Sequence, residues 1–109
     1  MALQIKALGN GQLGTTAFGD LYTAPASKST IVKNIRLVNT DTAPRTLNLY
    51  YKRSGGTARL ITPANMGLAA GFLGIEEAEL TMEAGDKIQG DASVANKLDY
   101  VISGVERDV

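Results

Sequence analysis

Residues 30–61 read TIVKNIRLVNTDTAPRTLNLYYKRSGGTARLI, and this stretch decides the fold because it divides into three runs of two-residue period separated by turn residues. In the first run Ile31, Lys33, Ile35, Leu37 and Asn39 fall on one face, and in the second Leu47, Leu49 and Tyr51 do so. Because successive side chains of a strand point to opposite faces, each run presents one face to a core. The expectation is three consecutive antiparallel strands of a single sheet. Residues 39–42, Asn-Thr-Asp-Thr, supply the first turn through side-chain bonds to their own backbone, and Pro44 opens the next strand where a missing amide matters least. Ser54, Gly55 and Gly56 supply the second, with a glycine free to take the left-handed position of a three-residue loop.

Working outward, residues 2–8 alternate Leu3, Ile5 and Ala7 with Gln4, Lys6 and Leu8. Residues 1–12 therefore read as an edge strand or as an extended arm that pairs with a neighbour's sheet, and residues 13–109 as the folded domain. Gly9, Gly11 and Gly14 match the spacing of a dinucleotide loop, but a strand-like run follows where that motif needs a helix, so they read as a glycine turn. Residues 15–23 form a second extended stretch bent at Gly19 and Asp20, and Pro25 turns the chain after it.

Residues 62–75, TPANMGLAAGFLGI, lose the rhythm. A helix there would carry Gly67, Gly71 and Gly74 at a cost of about 1 kcal/mol each relative to alanine. The segment reads instead as a long connection between sheets, whose Met66, Leu68, Phe72 and Leu73 either plug the open end of a sandwich or form a patch for a partner. Ala78, Leu80 and Met82 then face inward, residues 83–86 turn, and Ile88, Gly90 and Ala92 face inward on a strand whose small residues admit close sheet approach. Residues 98–105 carry apolar groups on both faces and read as a central strand. About eight short strands at such intervals predict an all-β, single-domain antiparallel β-sandwich, jelly-roll or Ig-like.

The chain has 109 residues, no cysteine and no histidine, so it offers neither a thiolate, nor the commonest general base, nor the commonest zinc ligand. Eleven basic and eleven acidic residues cancel and are interspersed, which gives no field toward nucleic acid or a membrane surface. The N-terminal segment is too short and too polar for a signal-peptide core.

Glu76, Glu77 and Glu79 cluster, but Glu77 and Glu79 share an outward strand face with nothing to separate their pKa values, as a catalytic pair requires. Asp86, Asp91 and Asp99 lack the order of a contiguous calcium loop and read as turn formers. No catalytic, cofactor or metal residue is assigned. Arg36, Arg45 and Arg59 would make a basic strip around Tyr50 if they shared a face. Tyrosine and arginine anchor interfaces, so Arg36, Arg45 and Tyr50 form one candidate contact patch, Met66, Leu68, Phe72 and Leu73 a second, and Leu3 and Ile5 of the arm a third.

Three stretches together carry a resemblance: LYTAPASKSTIVKNIRLVNTDTAPRTLNLYY, the glycine-rich crossing, and LTMEAGDKIQGDASVANKLDYVISGVE. With the turn from Tyr22 to Pro25, the Asn39 turn, the turn from Ala84 to Ile88 and the closing Ser103 and Gly104, the chain resembles small β-sandwich virion structural proteins of tailed bacteriophages. The resemblance covers about the last four fifths of the chain and rests on turn and core positions. It implies no enzyme but a virion component made in the bacterial host cytoplasm, a capsid decoration (cement) protein binding the major capsid protein or other virion proteins, as a homo-oligomer. A neck, tail or fibre adaptor, or a glycan-binding tip domain with Tyr22, Tyr50 or Tyr100 as stacking residues, is the alternative.

Overall fold

The computed structural model describes residues 3–76 and 79–108. Among these residues ten strands follow one another: β1 (Leu3–Gln12), β2 (Gly19–Thr23), β3 (Lys28–Asn39), β4 (Arg45–Lys52), β5 (Arg59–Leu60), β6 (Met66–Leu68), β7 (Leu73–Glu76), β8 (Leu80–Met82), β9 (Lys87–Ala92) and β10 (Leu98–Asp108). The described residues contain no helix, and hence none long and apolar enough to cross a membrane. One sheet runs β1-β10-β3-β7 with β8 also on β3; the other runs β2-β9-β4-β5 with β6 also on β4. Every pairing is antiparallel.

Because β5 and β6 line one edge of β4, and β7 and β8 one edge of β3, each pair is a single interrupted strand. Ten strands less two interruptions leave eight, and the chain swaps sheets at most of its connections, which is the winding of a jelly roll. The expected eight strands are thus present in outline and ten in fact.

In the stretch 30–61 β3 and β4 are not neighbours in one sheet, as their patterns suggest, but lie in opposite sheets. Asn39 is the reason. Its side chain is fully buried, its amide donates to the carbonyls of Ala43 (3.0 Å) and Leu68 (2.9 Å), and its oxygen accepts from the Asp41 amide (2.9 Å). These bonds tie the end of β3 to β6 of the facing sheet, so the turn arches over the sandwich instead of folding back along one sheet. The second turn does place Gly55 in the left-handed region, at φ 72°, but residues 53–58 connect β4 to β5, a longer loop than the three residues expected.

A second correction concerns the face of β3. Ser103 pairs with Asn34 and the next residue, Gly104, with Val32, so Lys33 is an extra residue, a bulge. Past it Ile35, Leu37 and Asn39 point inward as expected, but before it Thr30 and Val32 are buried while Ile31 and Lys33 are exposed. A single inserted residue exchanges the faces of everything upstream.

The core between the sheets contains Leu13, Val32, Ile35, Leu37, Leu47, Leu49, Leu68, Met82, Ile88, Leu98 and Ile102, with the phenol rings of Tyr22 and Tyr100. Close approach is visible at Gly90, where an added Cβ would lie 2.9 Å from Leu21 and 3.1 Å from Leu49. Residues 62–75 do cross between sheets, but as β6 and β7 joined by a tight turn. Residues 15–18 form turns rather than strand, and Gly9 and Gly11 lie inside β1. Glu77 and Ala78 lie outside the described residues.

Candidate protein-docking face

β1 pairs along its length with β10 of its own chain, from Leu3 opposite Arg107 to Gln12 opposite Asp99. Its alternation is inverted relative to a normal edge strand. Lys6 turns to the inner side, where its ammonium meets the buried Glu106 carboxylate at 3.0 Å, and this sends Leu3 and Ile5 outward. Ile5 is 92 % exposed and Leu3 68 %.

Strand register extends this apolar character across the sheet. Ile5, Val105, Ile31 and Thr81 form one row from β1 to β8, and Asn10, Val101, Arg36 and Ile75 another. Three shallow hollows of about 320, 450 and 300 Å³ lie along these rows, the first meeting the second at Ser103 and the second meeting the third at Val105, so the surface is continuous. Ile31, Leu73, Ile75 and Val101 are all exposed on it. Arg36 and Arg107 flank it and make no ion pair among the described residues, whereas Lys33 is held by Glu79 at 2.8 Å.

The residues singled out from sequence are dispersed by the fold. Leu3, Ile5, Arg36 and Leu73 converge on this outer face, with the exposed Phe72 at its edge beside the Asn39 arch. Leu68 belongs to the core and Met66 packs half-buried against it, so neither is a free contact residue; the alternating pairing of β6 with β4 turns Leu68 inward. Arg45 and Tyr50 sit on β4 of the opposite sheet. No basic strip joins them to Arg36, because the sheet change at Asn39 puts the thickness of the sandwich between them. Arg45 instead holds Asp41 at 2.7 Å and, with the Thr42 amide, keeps that carboxyl below its ordinary pKa. The Tyr50 ring meets Phe18 edge-on with centroids 4.9 Å apart. Tyr22 and Tyr100 are buried and cannot stack on a ligand.

The acidic residues serve the scaffold. Asp86 accepts from the Ser54 amide (2.9 Å), the Glu83 amide (3.0 Å) and the Tyr51 hydroxyl (2.8 Å). Burial pushes its carboxyl up, but these bonds outweigh it and the pKa is lowered, while burial and Asp86 raise Tyr51 to about 12. Asp91 holds Asn48 and Asp99 holds Gln12, so the three aspartates do not converge, and no cluster fit for a metal occurs among the described residues. Glu106 was not singled out from sequence. Extending the inward series Leu98, Tyr100, Ile102, Gly104 by one step would have found it.

No protein-family model and no curated protein matches the chain. Among solved structures it is similar to a chain in the structure of infectious bursal disease virus Gx strain, at 15 % sequence identity and a TM-score of 0.48. The likeness covers 96 % of this chain and 32 % of that one, so this chain spans about a third of its length.

Proposed function

We propose that this protein is a non-enzymatic structural component of a virion, a bacteriophage head decoration (cement) protein that docks on the outer surface of the shell through the outer face of its β1-β10-β3-β7 sheet. The observation that carries the reading is the inversion of β1: a strand that turns its lysine inward and Leu3 and Ile5 into solvent presents an apolar surface for another protein to cover. The jelly-roll winding and the resemblance of the turn sequences support the viral setting.

The partner has a definite chemistry. It covers the Ile5–Val105–Ile31 row with apolar side chains and meets Arg36 and Arg107 with carboxylates, since both guanidinium groups lack ion-pair partners among the described residues. The partner proposed is the major capsid protein, engaged at many equivalent positions so that a modest single contact suffices, with copies of this chain associating at the shared junctions.

Co-sedimentation with shells assembled from the major capsid protein of the same virus tests this. Ile5→Lys and Ile75→Lys are expected to abolish co-sedimentation while leaving the thermal midpoint unchanged, and Arg36→Glu to weaken it in a salt-dependent way. Shell binding by both lysine variants at wild-type strength rejects the docking face. Recovery of the protein from virions only as a single ring at the neck or tail rejects the head assignment.

A further inference from the structure

We infer that the N-terminal half of β1, Leu3 to Ala7, pairs antiparallel with the same segment of a second copy of this chain, across a two-fold axis at Ile5, so that two β1-β10-β3-β7 sheets join edge to edge. This deepens the proposed association of copies and rests on that reading for its setting; the contact itself uses the rim of the sheet, whereas the shell is met by its face. β1 ends its sheet on one side, with β10 as its strand neighbour. The two halves of that edge differ. At Gly9 the backbone of β2 comes in from the facing sheet, where an added Cβ would lie 3.1 Å from the Leu21 carbonyl oxygen. From Leu3 to Ala7 every residue is exposed, on both faces of the strand, and no second strand among the described residues pairs with it.

The direction of the backbone groups follows from the ends of the ladder. The Leu13 amide donates to the Leu98 carbonyl (2.9 Å) and the Thr40 amide to that of Lys97 (2.8 Å), so even-numbered residues of β10 turn toward β1 and odd-numbered ones toward β3. Carried along β10, this alternation makes Gly104 with Lys6 and Glu106 with Gln4 the hydrogen-bonded pairs. The N–H and C=O groups of Leu3, Ile5 and Ala7 then point to the open side, a row of donors and acceptors that another strand can meet.

The segment is complementary to itself. With the axis at Ile5, Leu3 faces Ala7 of the second copy, Ile5 faces Ile5, and Gln4 faces Lys6. The outer side is apolar throughout and no charge stands directly opposite a like charge. An inward lysine ordinarily guards an edge strand, because an incoming strand would bury its charge. Here Glu106 already holds the Lys6 ammonium at 3.0 Å, so that obstacle is absent. The length fits as well: the incoming strand lies opposite residues 3–7 and stops before Gly9, where β2 stands in the way. Ile5, 92 % exposed in the single chain, becomes the centre of the joined surface.

The test is disulfide trapping, for which a chain without cysteine is suited. Leu3→Cys, Ile5→Cys and Ala7→Cys each change an exposed site and leave the core untouched. Across a hydrogen-bonded antiparallel pair two Cα atoms stand about 5.5 Å apart, within reach of a disulfide, whereas Leu3 and its copy, or Ala7 and its copy, would be about 14 Å apart along the strands. A five-residue edge is small against the roughly 1,200 Å² of a stable interface, so the pairing is transient in dilute solution and mild oxidation captures it. Ile5→Cys is expected to form roughly tenfold more covalent dimer than Leu3→Cys or Ala7→Cys alone, and a mixture of those two to trap the mixed dimer well above either by itself. Equal trapping of the three single variants, or a mixture no better than its components, overturns the proposal. Ile75→Lys, expected to abolish shell binding, should leave trapping by Ile5→Cys unchanged, so the edge contact and the shell reading fail separately. Loss of trapping in that background would place the contact on the face of the sheet and overturns the edge pairing too.

Discussion

The Tyr22 hydroxyl lies 2.6 Å from Oε2 of Glu106, a bond that joins β2 of one sheet to β10 of the other through residues 84 apart in sequence. Thr30 Oγ1 sits 2.9 Å from the same hydroxyl and Lys6 donates to the other carboxylate oxygen. Burial pushes the Glu106 carboxyl up, but the bonds from Tyr22 and Lys6 outweigh it and the pKa falls below its ordinary 4.5, while Tyr22 rises to about 12 through burial and Glu106.

A group whose folded pKa is depressed stabilises fully above its ordinary value and loses that contribution as pH falls through the folded value. Glu106 should therefore make the fold less stable as the pH drops below 4.5. Glu106→Gln should lower stability at neutral pH by about 1.5 to 3 kcal/mol, since it weakens the charge-assisted bonds from Tyr22 and Lys6 while the half-exposed Lys6 ammonium returns to water, and should flatten the acid limb. Thermal midpoints of both proteins across acid pH check this; parallel curves would contradict it.

Asn39 should be the most sensitive polar residue of the opening stretch. Asn39→Leu strands the Ala43 and Leu68 carbonyls and the Asp41 amide, at about 1 to 3 kcal/mol for each group that stays buried. Denaturant unfolding is expected to show a lower midpoint with an unchanged slope, and a stability within experimental error of wild type would refute the role given to the arch.

Two glycines should respond in opposite ways to alanine. At Gly104 a Cβ would stand 2.2 Å from the Ile31 carbonyl oxygen, a clash with backbone at the bulge, whereas at Gly67 nothing lies within 4 Å. Gly104→Ala should cost about 3 kcal/mol or more and Gly67→Ala close to nothing, measured side by side by thermal melts. Equal melting of the two variants would show that the bulge relaxes freely.

Removing residues 1–12 should destabilise the sandwich rather than release a dispensable arm. The deletion takes away the whole β1–β10 ladder together with the cation that faces Glu106. Amide exchange in β10 is expected to accelerate strongly in the truncated chain; unchanged protection would mean that β1 adds little to the fold.

The alternation in Leu47, Leu49 and Tyr51 and in Leu98, Tyr100 and Ile102 was legible because each strand there keeps its period and buries one face. The reading of Ile31 and Lys33 failed because a bulge leaves no trace in a hydrophobic pattern: the extra residue is defined only by what β10 places opposite it. The candidate contacts divided in the same way. Leu3 and Ile5 were found as an apolar series, but that they face solvent depends on Lys6 being drawn inward by a carboxylate 100 residues away.

The sequence by itself determined the class of this protein, an all-β sandwich punctuated by glycine, proline and Asx turns, without the thiol and imidazole chemistry that cysteine and histidine would bring, because period, turn residues and composition act over a few neighbouring residues. Only the tertiary structure decided which strands share a sheet and which face of each looks outward. Those depend on long-range partners, on Asn39 reaching Leu68 across the sandwich and on Glu106 drawing Lys6 and Tyr22 to one point, and a local pattern carries no record of them.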